Sequence, residues 1–157
     1  MMNSQKIKEQ HAFIDEMAST MERVFGLPRM GGRLWAVLLI TDREQLSAEE
    51  LMEAVHASRG SVSTMIRTLE SIGLVNRVSR SGDRRHYYKA AEPDALMRAE
   101  LASMKLFIEL MNAGKRVIGP EDRRATQRLE DIVDLMQFFV KEYDALLERW
   151  HKRKTRS

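Results

Sequence analysis

The sequence predicts a mainly α (α+β) fold, and three observations carry that prediction. Apolar residues recur at three- and four-residue intervals through long segments at both ends of the chain. Between those segments lie two short stretches with helix-start signals, Ser47-Ala48-Glu49-Glu50 and Ser58 ahead of Val62. Then Leu74 to Ala90 shows partial alternation broken by Ser81-Gly82-Asp83, the pattern of a β-hairpin. The 157 residues suffice for one domain with extended helices.

In chain order, residues 4–25 form the first expected helix. Ile7, Ile14 and Met21 repeat every seven residues, with Met17 and Val24 between them, a short heptad-like seam. Phe25-Gly26-Leu27-Pro28 breaks it, and Pro28 can open the next helix, where its missing N–H costs nothing. Residues 28–41 are apolar nearly all round and should be buried. Gly31 and Gly32 each cost such a helix about 1 kcal/mol relative to alanine, a cost that close packing on another backbone would offset. Trp35 is read first as core and second as the wall of a ligand site.

Ser47 and Glu50 form a capping box that opens a helix from Ala48 to His56, buried through Leu51, Met52 and Val55. Only Ala57 and Ser58 separate it from the next helix, 58–72. There Val62, Ile66, Leu69 and Ile72 make an apolar stripe, and Gly73 suits a left-handed end. The other face holds Arg59, Ser61, Ser63, Thr64, Arg67, Thr68 and Ser71, with Glu70 as its one carboxylate. By itself this fits an ordinary serine-rich surface helix equally well. Small hydroxyls and arginines also suit close approach to phosphates and base edges. Two short helices joined by a tight turn, the second polar and basic outside, form a helix-turn-helix.

Leu74 to Arg80 is the first expected strand and Arg84 to Ala90 the return, with Arg80, Arg84 and Arg85 around the tip. A basic hairpin directly after a helix-turn-helix is a wing, and arginine at its tip can enter a narrow minor groove. Pro93-Asp94 opens a helix to about Ile118, with Met97, Leu101, Met104, Ile108 and Met111 in steps of four and three, and Gly119-Pro120 stops it. The last helix is expected from Glu121 to Trp150. Its seam is Leu129, Val133, Met136, Val140, Tyr143, Leu147 and Trp150, widened by Leu135, Phe139 and Leu146. The run His151-Lys152-Arg153-Lys154-Thr155-Arg156 is expected to be a solvated, disordered tail.

Composition narrows the function classes. No cysteine is present, which removes disulfides and thiolate chemistry. No apolar run approaches the ~20 residues of a membrane span, and the N-terminus lacks a signal-peptide core, so a cytoplasmic protein is expected. The net charge is +3, yet Ser58 to Lys89 alone carries seven positive and two negative residues, leaving the remainder negative. Such concentration is the electrostatic footprint of nucleic-acid binding. The four histidines (His11, His56, His86, His151) are scattered and no phosphate loop occurs, so neither an enzyme, a metal site nor a cofactor is expected.

In this order the elements resemble the MarR superfamily of winged-helix transcriptional regulators. Residues Gly26 to Arg33, Ser58 to Ser63 and Gly82 to Tyr88 look like its GbsR branch, and Asp83-x-Arg85 matches the superfamily's wing motif. The resemblance covers roughly residues 10–145. It implies a winged helix-turn-helix DNA-binding domain over 28–92, with 1–27 and 93–157 as a helical dimerisation region. It further implies a homodimeric, ligand-responsive repressor on a pseudo-palindromic operator, helix 58–72 in the major groove and wing 79–88 at the minor groove. Ser61, Thr64 and Arg67 become base-edge candidates, and Arg59, Ser63 and Thr68 phosphate contacts. Arg85 or Arg84 becomes the minor-groove residue, oriented by Asp83, with Arg80 beside them. A quaternary ammonium effector is implied, for which Trp35, Phe107 and Phe139 are the aromatic candidates. The alternative is a helical protein–protein adaptor that uses the winged helix without specific DNA binding.

Overall fold

A computed structural model describes residues 4–119 and 121–155. Pro120 and Arg156, part of the expected helix stop and basic tail, lie outside the described residues. The chain divides into two compact units, one up to Ala95 and one from Leu96.

The first unit contains α1 (Ser4–Phe25), α2 (Arg29–Ile40), β1 (Leu46–Ser47), α3 (Ala48–Val55), α4 (Arg59–Ser71), β2 (Val75–Val78) and β3 (Tyr87–Ala90). α1 packs on α2, and the glycine pair explains how closely. A Cβ on Gly32 would lie 2.7 Å from the Ala18 Cα, inside any real contact distance, and one on Gly31 would meet the Leu27 side chain at 3.0 Å. Ile14, Ala18 and Met21 of α1 are buried there, whereas the seam's ends, Ile7 and Val24, are exposed. α1 thus packs with the helices that follow it. Pro28 stands at the N-cap of α2 rather than inside it, its carbonyl accepting from the N–H groups of Gly31 (2.8 Å) and Gly32 (3.3 Å).

The core sits under α4. Leu34, Leu51, Val55, Val62, Ile66, Leu69 and Leu74 are fully enclosed. Each contributes about 1.5–3 kcal/mol relative to exposure. Ile72 departs from the expected stripe: it is the C-cap residue of α4 and is 39% exposed, while Leu74 beyond the turn takes the buried place. Gly73 makes that turn at φ 78°, the conformation for which a side chain would be strained. Ser58 caps α4 by accepting from the Ser61 N–H at 3.3 Å.

The capping box of α3 forms as expected. The Ser47 hydroxyl accepts from the Glu50 N–H (3.2 Å), and the Ser47 N–H donates to the Glu50 carboxylate (2.7 Å). That backbone bond is the largest cause of a lowered Glu50 pKa, with the Arg43 ion pair adding to it. The sheet is antiparallel in the order β1-β3-β2. Val75 faces Ala90 and Val78 faces Tyr87 across the hairpin, while Leu46 and Ser47 pair with Tyr88 and Tyr87. Arg84, Arg85 and His86, expected in the return strand, lie instead in the loop that precedes β3.

The second unit holds α5 (Ala95–Ile118), apart from its first residue, and α6 (Arg123–Lys154). Lys115 pairs with Glu130 (3.2 Å), Lys105 with Asp144 (3.6 Å), and Arg98 with His151 (2.9 Å), so the helices run antiparallel. The expected seam of α6 is its less exposed line, with Val133 buried and Leu129, Met136, Val140, Tyr143, Leu147 and Trp150 half-buried. Leu135, Phe139 and Leu146 face outward. The basic run is not a disordered tail as far as it is described: α6 continues through Lys154, and Thr155 is its C-cap. Lysine and arginine are good helix formers, and positive charge in a last turn is favoured by the helix dipole. Among the described residues no helix is long and apolar enough to cross a membrane.

Candidate nucleic-acid interface

α4 turns the middle of its polar face away from the core. Thr64, Arg67 and Ser71, spaced by three and four, lie opposite Val62, Ile66 and Leu69, and Ser61 and Ser63 flank them. Arg59, Ser61, Ser63, Thr64 and Arg67 are exposed, and Thr68 is half-buried. The helix keeps this face orderly by short local bonds. Arg67 Nε donates to the Ser63 carbonyl (3.3 Å), Thr68 Oγ1 to the Thr64 carbonyl (3.2 Å), and Ser71 Oγ to the Thr68 carbonyl (2.7 Å). Arg59 reaches back to Glu49 of α3 at 3.3 Å, both side chains being largely exposed. An exposed pair of this kind is weak and readily exchanged for another anion.

The wing is more heavily constrained than its sequence suggested. Asp83 accepts from the Arg85 N–H (2.9 Å) and from the Arg85 guanidinium through Nε (3.0 Å) and Nη2 (2.8 Å). The Tyr87 hydroxyl donates to the same carboxylate at 2.8 Å. These bonds, the Arg85 side chain's first, hold the Asp83 carboxyl well below the usual carboxylate range. The same contact raises the Tyr87 hydroxyl pKa. Tyr87 is buried at the sheet end, yet its ring serves both neighbouring arginines: Arg80 lies 4.2 Å and Arg85 5.5 Å from its centroid. Arg80 also donates to the Gln45 side-chain oxygen (3.1 Å), with the Gln45 amide turned to face it. Arg77 lies against the His86 ring, Nη2 to Nδ1 2.6 Å. Arg84 is exposed at the tip, with no hydrogen bond or ion pair among the described residues.

The predicted residues therefore separate into two sets. Arg59, Ser61, Ser63, Thr64, Arg67 and Thr68 share α4, while Arg80, Asp83, Arg84 and Arg85 share one loop. Sequence reasoning missed Tyr87 and Gln45 as their supports. Tyr87 had a signal in its spacing, four residues after Asp83 across a glycine turn; Gln45 had none. The aromatic candidates form no comparable site within either unit. Trp35 is half-buried in α2, Phe107 and Phe139 are 42% and 45% exposed, and Phe139 pairs edge-to-face with its neighbour Phe138. Among the described residues, no group of three His, Cys, Asp or Glu side chains could hold a metal.

Residues 34–87 match the MarR family, and residues 94–153 match MmpR5-like MarR family transcriptional regulators. The chain is 32% identical over 144 residues to the HTH-type transcriptional regulator MmpR5 of Mycobacterium tuberculosis, covering 90% of this chain and 86% of that protein. The GbsR likeness is narrower: 29% identity over 77 residues to the HTH-type transcriptional repressor GbsR of Bacillus subtilis, 49% of this chain and 41% of that one. A crystal structure of a transcriptional regulator superposes with a TM-score of 0.84 at 31% identity, over 92% of this chain and 99% of the other.

Proposed function

This chain belongs to the MarR family of transcriptional regulators, and on that footing we propose that it is a homodimeric repressor of a pseudo-palindromic operator. The observation that carries the reading is the pairing of an outward polar-basic face on α4 with a wing whose Arg80 and Arg85 are held by Asp83, Tyr87 and Gln45 while Arg84 is exposed. In this reading Ser61, Thr64 and Arg67 meet base edges in the major groove. Arg59, Ser63 and Thr68 meet phosphates, and Arg59 exchanges Glu49 for a phosphate oxygen. Arg84 and Arg85 enter or flank the minor groove, where negative potential concentrates. Twin copies come from the second unit: Leu106, Leu110, Leu135 and Phe138 are more than half exposed, an apolar surface that a second copy would cover.

The test is a DNA-binding titration at several salt concentrations, using duplexes selected from random DNA by the purified protein. Arg84→Ala with Arg85→Ala should weaken binding and lower the slope of log affinity against log salt by about 2. A folded double variant that binds like the parent rejects the wing assignment. Release by a small molecule is the regulatory half of this reading, and titrating choline into the DNA complex tests the quaternary ammonium class.

A further inference from the structure

The chain has eight glycines, and seven have a reason inside the protein. Four take left-handed backbone angles, and Gly31, Gly32 and Gly114 face neighbouring atoms within 4 Å. Gly60 has neither reason. It lies in the first turn of α4 without a positive φ, and a Cβ built on it meets nothing within 4 Å. Alanine would fit there and would narrow the unfolded ensemble, which stabilises a protein where the native backbone is compatible. The protein therefore forgoes stability at a position where its own packing requires no glycine.

The place of Gly60 on the helix supplies a reason. Gly60, Thr64, Arg67 and Ser71 stand at i, i+4, i+7 and i+11, one line opposite the buried Val62, Ile66 and Leu69. Gly60 heads that line at the N-terminal end, the end from which recognition helices contact bases. A side chain there would point along the direction in which the groove floor approaches. We infer that Gly60 is a specificity-determining residue of the DNA contact: its missing side chain lets base edges come close to the α4 backbone, and any larger residue holds the helix off. This rests on the reading of α4 as the recognition helix.

Gly60→Ala and Arg67→Ala are compared with the parent in thermal melts. Binding is measured to a duplex selected by the parent from random DNA and to a scrambled duplex of equal length. Gly60→Ala is expected to raise the melting temperature by about 1–4 °C. It should lose about tenfold or more on the selected duplex and less than about twofold on the scrambled one. A structural role would move stability and binding in the same direction, so the opposed signs identify the role. The inference is overturned if Gly60→Ala binds the selected duplex like the parent, if it melts lower, or if both duplexes lose equally. If Arg67→Ala keeps parental affinity as well, the recognition-helix reading falls too; if only Gly60→Ala does, that reading stands without this one.

Discussion

The unit up to Ala95 and the unit from Leu96 are written in the same helical periodicity, but their apolar faces meet different things. In the first, α1 to α4 and the small sheet close over a shared interior, and seventeen of the nineteen buried hydrophobic residues among those described belong to it. In the second, only Leu101 and Val133 are buried, while Leu106, Leu110, Val117, Leu135, Phe138 and Leu146 are each more than half exposed. Similar amphipathic patterns thus serve two ends. One is a core completed within the chain, against which a reading surface can be held. The other is a face left open, an apolar surface that the proposed second copy would cover.

The comparison breaks most visibly in the first core. Leu69→Ala removes a fully enclosed side chain directly behind the polar face of α4. It should cost roughly 2–5 kcal/mol in urea unfolding, whereas Leu135→Ala, 56% exposed, should cost the unassociated chain far less. The open face responds to charge. Leu110→Glu combined with Phe138→Glu should raise the dissociation constant of the proposed dimer about 100-fold or more in sedimentation equilibrium, on the order of 3 kcal/mol. Unchanged association would place the dimer contact elsewhere. Tyr87→Phe keeps the ring under Arg80 and loses only the hydroxyl donated to Asp83. Its stability should fall by about 1 kcal/mol, with DNA affinity reduced but not abolished; Tyr87→Leu should lose more affinity because the ring is lost too. The smallest effect is that of pH. The folded Asp83 carboxyl is held below its ordinary value, so its contribution is complete above the unfolded value of about 4 and declines as pH falls below it toward the folded value. Melts of the parent and Asp83→Asn should therefore differ by a constant amount from about pH 5 to 8 and converge in stronger acid.

What was legible in the sequence was whatever is encoded locally. The capping box at Ser47, the Ser58 cap, the left-handed Gly73 and the long helical periods each depend on residues within a turn or two of one another. The α4 face was legible for the same reason, since three- and four-residue spacing alone sorts Thr64 and Arg67 from Ile66 and Leu69. The missed features depend on distant pairing. β1 is two residues long, too short for any period, and exists because β3 lies beside it. Gln45 acquires its role from Arg80, thirty-five positions later. Ile72 obeyed the helical period, but the helix ended at Ser71 and released it to the surface. The basic run after Trp150 stands where a chain end ordinarily frays, yet as far as Lys154 its strong helix formers extend α6.

Ser47 has two duties: it caps α3 with its side chain, and its backbone pairs with Tyr87 at the root of the wing. The start of the helix-turn-helix and the loop-side end of the hairpin ladder thus meet at one residue, as two arms share a pivot. For the proposed half-site, the offset between what α4 reads and what the wing touches is set at that pivot. Altering the wing tip would change the strength of the outer contact without changing its position. To recognise a site with a different offset, the chain would have to be re-cut at Leu46 and Ser47, which are not themselves among the proposed DNA contacts.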